Sequence, residues 1–219
     1  MSLSGRGAWD ANFGPHLPAD KAAPILDVGC GLGDFLEYLE QDGYRNLRGV
    51  EIDPARVEAA RLKTRAAIDH SDDLESYLRA LSTPFTLITL KSVIAHFPRP
   101  LVVAYLRAMR DALSPDGTLV VETFNVSRWT GPYVLYNDVT HQWAYTEYSL
   151  QQVLELAGLR VVSLHGETLP HGRLSTRVFH FAQAVWIRLL RAMYLVERGI
   201  GRNPTILTKY LVAVCKKDA

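Results

Sequence analysis

The chain has 219 residues, 48% of them apolar and 21% charged, and 24 Lys+Arg against 23 Asp+Glu leave a formal charge of +1. That length and balance suit one folded domain with a full core and exclude disordered and collagen-like chains. They also speak against nucleic acid as a partner, because phosphate contacts call for a basic excess, and two cysteines, Cys30 and Cys215, exclude a disulfide framework.

The first ten residues, MSLSGRGAWD, carry no apolar leader, so a cytoplasmic location is expected. Gly5 to Lys21, with Gly14, Pro15 and Pro18, reads as an irregular arm. Pro24 to Val28 is a short buried strand that ends in glycines, followed by a helix over Phe35–Glu40 that stops at Asp42-Gly43. Leu47–Ile52 is a second strand, and Pro54 opens a helix over Ala55–Lys63. Strands over Ala66–Asp69, Phe85–Leu90 and Thr118–Glu122 alternate with helices over Leu74–Leu81 and Leu101–Leu113, the latter ended by a Ser114-Pro115-Asp116-Gly117 turn. After Thr123 some twenty residues lack a clear rhythm. A helix over Ser149–Ala157 is capped by Gly158 and leads into a strand over Leu159–Leu164. A long amphipathic helix spans Val178–Glu197, and a final strand covers Thr208–Cys215. Alternating strands and helices predict an α/β domain with a mostly parallel sheet, helices on both faces and a closing antiparallel strand.

The turn Asp27-Val28-Gly29-Cys30-Gly31-Leu32-Gly33 joins the first strand to the first helix, where open parallel sheets bind ligands. Its third glycine falls one residue early for the dinucleotide spacing, and the residue three after Gly31 is Asp34. Asp27 would repel a diphosphate and favour a cationic ammonium, while Glu51, ending the second strand, can accept both hydroxyls of a ribose. A ligand with a ribose, a positively charged amino-acid tail and no phosphate meets all three conditions, and S-adenosylmethionine is such a ligand.

At these residues the chain resembles the class I S-adenosylmethionine-dependent methyltransferases. Ile25 to Gly33 is similar to the family's glycine motif, Gly49-Val50-Glu51-Ile52-Asp53 to its ribose-binding strand, and Asp73-Leu74 to the pair placed against the adenine. Leu113 to Leu119 is similar to the turn before the fifth strand, with Asp116 for a commoner glycine, and Thr86 replaces the usual acid of the fourth strand. The resemblance implies a seven-stranded Rossmann-like class I methyltransferase sheet. It implies donor contacts from Asp27, Gly29, Cys30, Gly31, Gly33, Glu51, Ile52, Asp73, Leu74 and Lys91, with S-adenosyl-L-homocysteine as product. One domain over 1–219 is expected, with a cofactor-binding core at 24–125, a substrate-side loop at 126–148 and a closing region at 149–219.

Two of the seven histidines stand as catalytic candidates, because removing an alcohol's proton calls for a base within hydrogen-bonding reach. His96 follows the fourth strand, in Ala95-His96 where the family often has Glu-His. His141 lies in Asp138-Val139-Thr140-His141, a stretch that resembles a loop of methyltransferases acting on sugars and other small hydroxylated molecules. Trp129, Tyr133, Tyr136, Trp143, Tyr145 and Tyr148 crowd the same segment, either as stacking faces for an acceptor or as a small core of their own. Glu122 and Asn125 end the fifth strand, near enough to the cleft to face an acceptor or water. Asp138 and His141 are two metal ligands where a catalytic site needs three, and His165 and His171 have no evident route to them, so no metal is expected. Cys30 reads as a small filler.

The apolar stripe Val178, Phe181, Val185, Leu189 and Val196 is expected to cover the sheet, with a homodimer contact or a membrane-surface face as alternatives. His180, Gln183, Arg188 and Arg191 interrupt it, which excludes stable membrane insertion. The expected function is methyl transfer from S-adenosylmethionine to a small hydroxylated acceptor, such as a sugar or saccharide intermediate. The rival readings are a nicotinamide-dependent oxidoreductase, disfavoured by the glycine spacing, and a non-catalytic interaction protein that keeps the fold, for which Thr86 and Ala95 speak.

Overall fold

In the computed structural model, which describes residues 5–169, 174–201 and 203–217, the chain runs through eight helices and seven strands among those residues. His171, Arg173 and Arg202 lie outside the described residues. After α1 (Arg6–Asn12) comes β1 (Ile25–Val28), every residue of which is buried. A strand buried on both sides belongs in a parallel sheet between helix layers. It is followed by α2 (Asp34–Gln41), β2 (Leu47–Glu51), α3 (Pro54–Lys63), β3 (Ala67–His70), α4 (Leu74–Ala80) and β4 (Phe85–Lys91). Then come α5 (Val102–Ala112), β5 (Leu113–Phe124), α6 (Gly131–Tyr136), α7 (Glu147–Leu156), β6 (Leu159–Gly166), α8 (Leu174–Arg198) and β7 (Tyr210–Lys217). Pro54 and the Asp53 carboxylate, which accepts from Ala55 N, start α3, while Thr146 and Ser149 close a reciprocal capping box on α7.

The sheet order is β3-β2-β1-β4-β5-β7-β6, with β7 antiparallel to both neighbours and the others parallel. Strand order therefore reverses between β1 and β4, which opens a crevice beyond their carboxyl ends. Leu26, Ile88, Leu90, Leu106 and Leu154 fill one face of the sheet, and Ile25, Phe35, Leu39, Leu87 and Val212 fill the other. Each such fully buried side chain contributes roughly 1.5–3 kcal/mol.

Four expectations need correction. The N-terminal arm contains a helix: α1 lacks apolar periodicity, but Trp9 packs edge-on against Phe35 at 5.5 Å and against Tyr38 at 5.2 Å. Ser114 to Gly117 is not a free turn but the start of β5, where the ladder with β4 shifts register between Phe85 and Leu87. The irregular stretch after β5 holds α6, opened by Pro132 in its first turn. Finally, the apolar stripe of α8 does not cover the sheet. Leu190 is buried, but Phe181 is 71% and Val196 87% exposed. No helix among the described residues is long and apolar enough to cross a membrane.

Candidate active site

The glycine turn after β1 takes a backbone path that side chains would block. Gly29 has φ 67°, and a Cβ there would lie 2.4 Å from Val93 Cγ2, so the loop packs directly on the chain leaving β4. Gly31 has φ 58°, and a Cβ on it would meet nothing within 4 Å; the space above it can accept a ligand close to the backbone. The side chain of Glu51 reaches from the end of β2 across this loop. Its Oε2 accepts from Gly31 N at 2.8 Å, and its Oε1 accepts from Ile52 N and Asp53 N at 3.0 and 3.1 Å. Ile52 beside it is 64% exposed, an apolar face at the cleft. Cys30 turns inward against Leu36 and Gly49, and burial pushes its thiol up to about 12, so it is a protonated filler whose access to a ligand is through its backbone. Asp73 caps α4 by accepting from Ser76 N at 3.1 Å, and the Ser76 hydroxyl together with that amide holds its carboxyl below the usual range. Leu74 follows it, packed against the core.

Asp27 does not stand as an unmatched acid. It is fully buried, its Oδ1 accepts from Thr89 Oγ1 at 2.6 Å, and Lys91 Nζ donates to Oδ1 and Oδ2 at 3.0 and 2.9 Å. The register that sets Asp27 opposite Thr89 brings Lys91, the last residue of β4, within reach of it, and Phe35 lies under its ammonium at 4.4 Å. This buried pair is a structural commitment as well as a charge pattern, since removing one partner of such a pair costs about 3–5 kcal/mol. Lys91→Ala is therefore expected to lower the melting temperature by roughly 10 °C, measured by thermal unfolding without ligand. A fall no larger than that of a surface lysine variant would contradict the pairing.

His96 and His141, 45 positions apart, meet with ring centroids 4.8 Å apart, and Phe124 lies 4.9 Å from His141. The hydrogen bonds around them fix both tautomers. Thr140 Oγ1 donates to Asp138 Oδ1 at 2.6 Å, so it must accept from His96 Nδ1 at 2.9 Å. The Nδ1 of His141 faces the carbonyls of Val134 and Leu135 at 3.0 and 3.3 Å, which can only accept. In the neutral form of either ring the lone pair is then on Nε2. Burial, then the neighbouring His141, lowers the His96 pKa, with Asp138 opposing, so the ring is neutral near pH 7. The Thr140 hydrogen bonds lower that of Asp138. His96 closes a 3-10 turn (Ile94–His96) that directly follows Val93, the residue against which Gly29 packs, so that turn begins beside the glycine loop.

Asp138 and His141 line a cavity of about 820 Å³ together with Tyr136, Trp143 and Arg99, whose guanidinium lies 4.2 Å from the Trp143 ring centre. Of the six aromatics of this segment, Trp129, Tyr133 and Tyr136 are exposed, whereas Tyr145 is buried in the core and the Tyr148 hydroxyl donates to Asn203 O. The small-core reading holds for Tyr145, while Trp129, Tyr133 and Tyr136 are left at the surface. Two strand-end residues are corrected. Glu122 is neither solvated nor open to the cleft but fully buried, accepting from Ser92 Oγ at 2.7 Å. Asn125 is used structurally, donating to Ile206 O and Thr208 O and accepting from Ser127 N. Sequence reasoning missed the partner of Asp27, the Thr140 link and the meeting of the two histidines. None had a signal in the sequence, because Lys91 reaches Asp27 through the register of β1 with β4 and the other two through the meeting of distant loops.

A family profile described as a methyltransferase domain matches residues 8–164. The chain is similar to the ubiquinone biosynthesis O-methyltransferase of Cereibacter sphaeroides, 28% identical over 178 residues that cover 72% of this chain and 68% of that one. The protein of the same name from Dinoroseobacter shibae is 30% identical over 173 residues, covering 71% and 68%. Matches to others of that name, from Neisseria meningitidis and a second Cereibacter sphaeroides strain, span 44% and 47% of their length. Among solved structures, a SAM-dependent methyltransferase from Archaeoglobus fulgidus superposes with a TM-score of 0.72 at 19% identity, covering 96% and 92% of the two chains. The plantazolicin methyltransferase BamL, solved with SAH, gives 0.59 at 16% identity, covering 97% and 82%. Likeness at these identities speaks for the fold.

Proposed function

The chain belongs to the methyltransferase-domain family of class I S-adenosylmethionine-dependent enzymes, and on that premise we propose that it methylates a hydroxyl oxygen of a small ring-bearing acceptor, a sugar or saccharide intermediate. Membership of that family overturns the oxidoreductase reading. The observation that carries the proposal is the pair of packed histidines, each with its Nδ1 tied to an acceptor, of which His141 lines an aromatic cavity. Oxygen as the accepting atom is further supported by the O-methyltransferase names of the curated relatives.

The cleft suits the donor. The open space over Gly31 admits it, Glu51 takes the ribose hydroxyls in place of its bond to Gly31 N, and Ile52 with Asp73 and Leu74 flanks the adenine. The Lys91 ammonium, held in place by the buried Asp27, faces the carboxylate of the zwitterionic methionine tail. When bound, the donor supplies a methyl group on a sulfonium, ready for in-line displacement. The chain's own tasks are alignment, worth roughly 7–11 kcal/mol of the barrier in well-oriented reactions, and removal of the acceptor's proton by a histidine. The side chains of Tyr136 and Trp143 offer flat faces to the acceptor ring.

The test is methyl transfer from labelled donor to matched panels of polyhydroxy saccharides, phenols and primary amines. A saccharide turned over best supports the reading. Preference for a phenol keeps O-methylation and overturns the saccharide class, and preference for an amine overturns both.

A further inference from the structure

We propose that His96, Asp138 and His141 bind a divalent first-row transition-metal cation that ionises the acceptor hydroxyl in place of a free histidine base, an inference that rests on the O-methylation reading above but replaces its proton acceptor. Ligand-capable atoms of the three lie within 4.8 Å of one another, and theirs is the group of this kind among the described residues. The chain's spacing shows only Asp138 and His141. The turn after β4 supplies the third ligand, because the backbone amides of Gln142 and Trp143 both donate to Ala95 O, at 2.7 and 3.2 Å, and so clamp the two segments together.

Two imidazoles and one carboxylate form a set that catalytic metal sites use, with positions left open for water or substrate. The outer shell is also in place. A metal-binding histidine donates its other ring N–H to a carbonyl, a carboxylate or a comparable acceptor; here His141 Nδ1 donates to Val134 O, and His96 Nδ1 to a hydroxyl that is itself bonded to Asp138. Asp138 takes both Thr140 contacts on Oδ1, which leaves Oδ2 for a cation. Ligands about 2.0–2.2 Å from a metal lie closer together than the present spread, so the exposed Asp138 and the half-buried rings must rotate inward on binding.

A cation there would lower the acceptor's hydroxyl pKa. The O–H proton leaves to water, the oxygen pair forms the bond to the methyl carbon, and the C–S bond breaks with its pair kept by sulfur, giving the methyl ether and S-adenosylhomocysteine.

The untagged full chain, stripped with EDTA and saturated with S-adenosylhomocysteine, is titrated calorimetrically with Zn²⁺, Mn²⁺ and Co²⁺, with the Co²⁺ absorption spectrum read in parallel. One equivalent is expected to bind. His96→Gln, Asp138→Asn and His141→Gln should each weaken it severely, and Thr140→Val, which keeps all three ligands, by about 10–100-fold. Failure of all three cations to bind the wild type, or equal binding by the variants, overturns the proposal. Methyl transfer that persists in EDTA yet slows in the histidine variants also overturns it while leaving the base reading intact. Tight binding without methylation of any hydroxylated acceptor upholds the metal site and overturns the acceptor reading instead.

Discussion

Replacing Glu51 with alanine is expected to raise the Kd for S-adenosylhomocysteine by about 10²–10⁴-fold, because two hydrogen bonds from ribose hydroxyls to a carboxylate are worth roughly 1.5–3 kcal/mol each. The carboxylate is preorganised for this. Three backbone amides hold it, and of these only the Gly31 contact must be exchanged for the ligand, since the Ile52 and Asp53 contacts lie on the other oxygen. At ligand concentrations of 100 Kd the wild type should gain about 2.7 kcal/mol of stability, and the variant about 0.4 kcal/mol or less. Calorimetry and thermal shift both read this. Undiminished affinity in Glu51→Ala would remove the carboxylate from the donor site, and Glu51→Gln, which keeps the shape but loses the charge, should fall between the two.

The second large effect is expected at His141. His141→Ala should lower kcat by about 10²–10⁴-fold, the range that a positioned proton-accepting group supplies, with S-adenosylhomocysteine affinity unchanged. The ring packs against Phe124 and His96 and bonds the carbonyls at the end of α6, so truncation also loosens that segment. His141→Asn, which can still donate to Val134 O but is a poor base, separates the two contributions. It should keep the melting temperature and lose turnover. Recovery of turnover in His141→Asn would assign the residue to loop structure, and weakened donor binding would place the ring in the donor pocket.

What could be read from the sequence, and what could not, follows one physical division. Short-range features were legible. The apolar runs of β1, β2 and β4, punctuated by Gly29 to Gly33, Gly43 and Pro54, specify a strand, a tight turn and a helix start with no reference to the rest of the chain. Features made by packing were not. Arg6–Asn12 has no helical period and is held by Trp9 against Phe35 and Tyr38. The α8 stripe reads as a core-facing helix, yet sequence periodicity states only that one face is apolar, not what covers it. At the site, Glu51 and the glycines announce themselves through spacing. Lys91 beside Asp27, and Thr140 linking His96 to Asp138, join residues 64 and 44 positions apart and emerge only from strand register and from the clamp at Ala95. Asn125 and Glu122 show the converse error. Polar residues at a strand's carboxyl end suggest a role at the cleft, but here the fold uses them to hold the Ile206–Thr208 segment and the turn at Ser92.

A crystal structure of the chain with S-adenosylhomocysteine tests the central claim most directly. The ribose hydroxyls should lie on Glu51, the amino-acid tail beside Lys91, and the sulfur should point toward His96 and His141 and the cavity that His141 lines. A sulfur directed away from the histidine pair, or a ligand seated off the glycine turn, would contradict the account.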